Sequence, residues 1–107
     1  MFKVIYTSEF SDWLKKIENK EFDSIIKLIN QLKREGFMLT EPYSKKIKGS
    51  KCKLRELRCM RFNNRVYYFL EEDKLYVCLL GGKKTTQTKD IKKAENIAKD
   101  IKDKNYE

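Results

Sequence analysis

Apolar residues recur at helical spacing early in the chain and at strand spacing through its middle, and this change of period sets the expected architecture. Phe2–Thr7 alternates weakly and is rich in β-formers, which predicts a first strand. Thr7 or Ser8 is placed to cap a helix, along which Phe10, Trp13, Leu14 and Ile17 share one side. Asn19 and Lys20 allow a break, and Phe22, Ile25, Ile26, Ile29 and Leu32 then form a second, clearer stripe closed by Gly36. Two short antiparallel helices joined by a tight turn are expected.

Past Pro42, the only proline, the pattern turns to strands. Lys45–Lys48 reads as a short strand ended by Gly49 and Ser50, and Lys53–Phe62 as a second. The parity of that second strand is open, because Leu54 and Leu57 share a face only across a bulge. Asn63-Asn64 is a turn pair. Arg65–Glu71 alternates, with Val66, Tyr68 and Leu70 on one face and Arg65, Tyr67 and Phe69 on the other. After a turn at Glu72-Asp73, Leu75–Leu80 is a continuous apolar run of the kind found in a central strand, and Gly81-Gly82 is read as its end. Thr88 is the expected cap of a last helix with Ile91, Ala94, Ala98 and Ile101 on one side, and the polar tail beyond Lys102 is expected to fray. The order is βααββββα or βααβββα. The class is α+β: a curved antiparallel sheet with an N-terminal helical hairpin and a C-terminal helix, the helices packed on one face and Arg and Lys presented on the other.

At 107 residues this is one domain. The charge adds to the picture through its placement. The net charge is +9, and Lys45–Val66 alone carries nine cations against the single acid Glu56, a local +8, leaving +1 for the rest. So concentrated a positive field attracts polyanions and speeds their encounter, and mixed-sign solubility surfaces do not look like this. An RNA partner is therefore expected, with Lys48, Lys51, Lys53, Arg55, Arg61, Lys83 and Gln87 as candidate contacts.

Several classes are set aside. No run of about 18 apolar residues exists to span a membrane, and the N-terminus lacks the apolar stretch of a signal peptide. Cys52, Cys59 and Cys78 are an odd number without close pairing, read as reduced thiols of a cytoplasmic protein. With no His and scattered Cys, neither a zinc site nor any other cofactor is expected. Gly81-Gly82-Lys83-Lys84 lacks the spacing of a phosphate-binding loop. What remains is a cluster of Arg55, Arg58, Arg61 and Arg65 on a hairpin, followed by Lys83 to Gln87 at the end of the next strand. Side chains from these elements can converge on one phosphate. Cations there would stabilise the charge of a phosphorane, and a base could be a Lys in a crowd of cations, Tyr67 or Asp90. Trp13, Cys59 and Cys78 are assigned to the core.

The series Leu54-Arg55-Glu56-Leu57-Arg58, Asn64-Arg65-Val66-Tyr67-Tyr68, Leu79 to Gln87 and Asp90-Ile91 resembles the RelE/ParE toxin superfamily, and within it the HigB-like "addiction module killer protein" branch. The resemblance covers almost the whole chain. It implies a toxin that enters the ribosomal A site and cuts mRNA without a metal, leaving a 2′,3′-cyclic phosphate, and that is held in check by a cognate helix-turn-helix DNA-binding antitoxin. Carried over by position, it implies Arg58 and Arg65 at the scissile phosphate, with Lys84 assisting; Arg65 is expected to be exposed and dispensable for folding. Leu54 and Glu56 stand where RelE has lysines, and Asp90 lies near the place of a RelE tyrosine. Two alternatives stay open: a non-catalytic ParE-like inhibitor of DNA gyrase, and a plain RNA-binding module. Codon preference, the general base and the oligomeric state are not written in the sequence.

Overall fold

The computed structural model describes residues 1–105, and the elements follow in the order βααββββα. Strand β1 is Lys3–Tyr6, helix α1 Ser8–Lys16 and helix α2 Asn19–Glu35; a single 3-10 turn, Gly36–Met38, follows. Strands β2 (Ser44–Lys46), β3 (Arg55–Cys59), β4 (Asn64–Glu72) and β5 (Leu75–Lys83) form an antiparallel meander, and helix α3 (Gln87–Asn105) closes the chain after a 3-10 turn over Lys84–Thr86. The sheet order is β1-β5-β4-β3-β2.

The start of α1 shows how the local signals work. The Thr7 hydroxyl accepts from the Phe10 amide at 3.1 Å and donates to the Leu79 carbonyl at 2.7 Å, so the N-cap also ties the helix to β5. Gly36 closes α2 with φ 54° as expected.

Two features differ from the sequence reading. First, β1 is parallel to β5, pairing Lys3 with Leu75 through Tyr6 with Cys78, so the sheet is mixed. The helical hairpin carries the chain from β1 over the sheet to the far edge at β2, and the meander then returns to β1 in the parallel sense. Second, the helices do not share one face. Phe10, Leu14, Ile25, Ile29 and Leu32 of α1 and α2 bury Leu57, Val66, Tyr68, Tyr76 and Cys78, whereas Ala94 and Ala98 of α3 lie with Leu54, Tyr67, Phe69, Val77 and Leu79. The unbroken apolar runs of β4 and β5 require this, because both faces of those strands must leave water. Leu54 and Leu57 thus belong to opposite faces and need no bulge.

Gly81 and Gly82 lie inside β5, not at its end. A Cβ on Gly81 would fall within the Trp13 ring, and one on Gly82 within the Asp90 carboxylate. The missing side chains let α1 and α3 approach the sheet from its two sides. Thr88 lies within α3, whose helix extends to Asn105; the last part of the tail expected to fray, Tyr106 and Glu107, lies outside the described residues.

Trp13 is half-buried, stacked on Phe10 with centroids 5.8 Å apart. Gly81→Ala is expected to cost about 1–3 kcal/mol by overpacking against it. Combined with Trp13→Ala, the added methyl should cost much less, because the ring it meets is gone. Urea denaturation of the two single variants and the double variant measures that coupling.

Candidate RNA-cleavage site

Parity along three neighbouring strands builds the site. In β3 the residues facing α3 are Glu56 and Arg58; in β4 they are Arg65 and Tyr67. Arg58 is register partner to Arg65, and Arg65 to Gly82 of β5, so these three form one row across the sheet. Glu56 and Tyr67 form the next row. Asp90, in the first turn of α3, sits directly over Gly82.

Charges alternate within this patch. The Glu56 carboxylate lies between the two arginines, with Oε1 3.8 Å from Arg58 Nε and Oε2 3.8 Å from Arg65 Nε. Its Oε2 also accepts from Gln87 Nε2 at 2.6 Å, which pins the start of α3 to β3. Thr86 donates to Asp90 Oδ2 at 2.6 Å. Exposure falls steeply with depth: the Arg58 side chain is 23% exposed, that of Glu56 6% and that of Arg65 2%. Arg58 Nε, Arg65 Nε and the Tyr67 hydroxyl are buried and have no hydrogen-bond partner among the described residues. Three unsatisfied polar atoms on one small patch mark a surface organised around something other than its own stability.

Burial chiefly, and then the nearby Asp90 and Glu56 carboxylates, push the Tyr67 hydroxyl far above the usual tyrosine value, against an opposing pull from Arg65. Of the sequence-derived proton carriers, Tyr67 therefore keeps its proton through the physiological range and serves only as a donor. Arg65 is also not the exposed residue expected. Its Nη1 donates to its neighbour's carbonyl, Asn64 O, at 3.1 Å, and its guanidinium is enclosed.

The remaining candidates disperse. Arg55 points to the opposite face, where its Nε donates to Ser44 Oγ at 3.1 Å and it lies beside Tyr68. Arg61 lies over the Phe62 ring at 5.1 Å. Lys83 is bound to Glu21 of α2 and donates to the Phe62 carbonyl at 3.0 Å. Lys84 is exposed at the start of the turn before α3, its backbone amide bound to Asn63 O at 2.8 Å. Lys48 and Lys51 line a groove against Lys92, Glu95 and Lys99 of α3, and Lys53 is exposed with φ 58°. Of the expected set, the structure gathers Arg58, Arg65, Tyr67, Gln87 and Asp90. Glu56, which sequence reasoning did not count as a site residue, is their centre. Its signal was that it is the only acid in the basic segment, two residues before Arg58.

A family model described as phage derived protein Gp49-like (DUF891) matches residues 12–103. The chain belongs to this Gp49-like family. Among curated protein sequences nothing matches it. Solved structures give the fold of this Gp49-like protein. It is similar to the toxin in the intact RelBE toxin–antitoxin complex of E. coli, with a TM-score of 0.64 and 12% identity over 78% of this chain and 96% of that one. A double arginine-to-alanine mutant of E. coli RelE in the free state superposes with a TM-score of 0.68 and 10% identity, over 88% and 93% of the two chains. The RelBE2 complex of Mycobacterium tuberculosis gives 0.62 and 16%, over 78% and 98%. The RelE/ParE resemblance is thus borne out in the fold. All three cysteines are free and buried, Cys59 and Cys78 as expected of core residues. No helix among the described residues is long and apolar enough to cross a membrane.

Two outcomes follow for the Gp49-like protein. Arg65→Ala should cost about 3–5 kcal/mol, because it removes the most buried of the groups that compensate the Glu56 carboxylate; thermal melts measure this. Stability should also fall in alkali. Burial pushes the Cys78 thiol from 9.0 up to about 12. The folded form then keeps a proton that the unfolded chain releases, so stability is full below about pH 9 and is lost as pH rises toward 12. Cys78→Ala, though less stable overall, should show a shallower slope over that window in pH-dependent denaturation.

Proposed function

We propose that this protein is the toxin of a toxin–antitoxin pair and that it cleaves mRNA in the ribosome without a metal, in the HigB-like manner. The observation that carries the reading is the row Arg58–Arg65–Gly82 with Asp90 above it. Two cations and a carboxylate from three separate elements meet there over the glycine of a fourth, with buried donor atoms left unpaired among the described residues. The toxin fold and the +8 segment around the row support it.

The depth profile assigns roles. Arg58, the arginine with solvent access, takes the scissile phosphate and the charge that develops on it. Arg65 supports from beneath, holding Glu56 in place and raising the local positive potential. Glu56 is engaged by two arginines and Gln87, whereas among the described residues Asp90 is held by Thr86 alone, so Asp90 is the carboxylate left to accept a proton. The 2′-hydroxyl of the substrate gives its proton to Asp90 and its oxygen attacks the adjacent phosphorus. The bond from phosphorus to the 5′-oxygen breaks, that oxygen is protonated from water, and a 2′,3′-cyclic phosphate remains. Lys48, Lys51 and Lys84 supply flanking phosphate contacts, and the cognate antitoxin is a helix-turn-helix protein that holds the toxin inactive.

Arg58→Ala and Asp90→Asn should each lower single-turnover cleavage on programmed ribosomes by about 100-fold or more. Arg58→Ala should destabilise less than Arg65→Ala, since Arg58 reaches solvent, and Asp90→Asn by no more than about 1 kcal/mol, since Asp90 lies in the first turn of a helix. Full cleavage by folded Arg58→Ala would overturn the assignment. No cleavage by the parent protein, together with inhibited supercoiling, would transfer it to the gyrase-directed reading. RNA affinity should fall with salt at a log–log slope of about −0.7 per phosphate contact, which filter binding across a salt series reads directly.

A further inference from the structure

Arg55 is one of the cations of the basic segment that the cleavage row does not use. It stands on the opposite face of β3, at the mouth of a small cavity of about 130 Å³ lined by Lys53, Tyr68, Tyr76, Phe37 and Leu70. The floor is built and rigid. Ser44 and Tyr68 are 0% and 1% exposed, their hydroxyls lie 2.5 Å apart, and Ser44 Oγ accepts from Arg55 Nε. That bond, with Tyr68 beside it, orients the guanidinium at the cavity wall. The ion pairs among the described residues include neither Arg55 nor Lys53, so the two cations face the cavity without a carboxylate. The rim is apolar and unusually open: Phe37 is 76% exposed and Leu70 45%.

We propose that this cavity is a docking site for a partner polypeptide that presents one carboxylate next to an apolar side chain. The carboxylate takes the fork of Arg55 and the ammonium of Lys53, and the apolar side chain covers Phe37 and Leu70. Arg binds a carboxylate through two parallel N–H donors, and a guanidinium fixed in advance loses little freedom in doing so. Charge complementarity favours a peptide over RNA. The exposed apolar rim of Phe37 and Leu70 suits a partner that carries one charge beside an apolar side chain, not a strand with a phosphate at every nucleotide. A single carboxylate in an apolar context meets only the two cations. The site lies across the sheet from Arg58 and Arg65, so it does not depend on RNA cleavage, and a partner could occupy it while the cleavage row is filled.

The test is a titration of the full-length, ¹⁵N-labelled protein, followed by NMR. The probe is the capped peptide Ala-Leu-Glu-Phe-Ala, compared with its Glu-to-Gln counterpart and with a short oligouridine. Saturable shifts at Phe37, Leu70 and the Arg55 Nε–H are expected with the acidic peptide. Affinity should drop about tenfold with the Gln peptide, and by a similar factor in Arg55→Gln and in Lys53→Gln. Lys53 is exposed, so its variant decides the matter even where Arg55→Gln fails to fold. Equal affinity for both peptides, unchanged affinity in Lys53→Gln, no saturable shift up to millimolar peptide, or shifts at these residues with oligouridine alone would each overturn the proposal. The parent's mRNA cleavage is measured separately, so loss of the toxin reading and loss of the peptide site give distinct results.

Discussion

The burial of Arg65 is the constraint on which the polar half of this protein depends. A guanidinium that is 2% exposed in the central strand of a sheet has lost nearly all its hydration. It must be compensated by charge and hydrogen bonding nearby, or the strand would not seat. Glu56 meets it from β3, and the neighbouring Asn64 carbonyl from β4. Glu56 is thereby fixed, and through it Gln87, so the first residue of α3 is placed by the same carboxylate. The compensation is incomplete, since both arginine Nε atoms lack hydrogen bonds. A purely structural ion pair would gain from closing that gap; the phosphate site proposed here would not.

The same sheet sorts its two faces by parity. On the α3 side, the row order runs from apolar (Phe69, Leu54) through Tyr67 and Glu56 to Arg58 and Arg65, so polarity grows toward the end of the sheet where α3 begins. On the other side, Leu57, Val66, Tyr68 and Tyr76 lie beneath α1 and α2, and polarity returns at the opposite end of β3, at Arg55 and Ser44. Arg55 and Arg58 are three residues apart on one strand, and an odd interval sends them to opposite faces. A basic segment that reads as one block in the sequence is therefore two separate sites in space.

Much of the architecture was legible because local signals and burial agreed. Thr7, Gly36, the stripe from Ile25 to Leu32 and the alternation from Arg65 to Phe69 match the structure, while Phe22, expected to open that stripe, is exposed. The sharing of faces was not legible from any one element. It lay in the unbroken run Leu75–Leu80, which buries two faces and so needs helices on both, a demand that the basic charge of the neighbouring strand obscured. Gly81 and Gly82 looked like a stop, because the sequence does not show that Trp13 and Asp90 need the space above them. In the site, Arg58, Tyr67 and Asp90 were within reach of sequence reasoning. Glu56 was passed over because a lone acid in a basic run looks like dilution of charge, and the depth of Arg65 depends on α3, which lies more than twenty residues further along.

That depth also bears on how such a surface can be both stable and ready to bind a polyanion. If all of the nine cations of Lys45–Val66 faced one way, their mutual repulsion would oppose folding and bind any nucleic acid without discrimination. The fold disperses them instead. Arg65 is buried against Glu56, Arg61 lies on an aromatic ring, Arg55 is turned to the far face, and Lys48 and Lys51 border the outer side of α3. Only Arg58 is left at the mouth of the polar row, backed by a potential that the buried Arg65 supplies and that Glu56 and Asp90 keep near neutrality at rest. In the proposed reading a phosphate entering that row meets Arg58 first, with the buried charge of Arg65 behind it, so the electrostatic gain comes at one place on the surface. In that reading, selectivity for the scissile phosphate rests on burying one arginine, not on adding more.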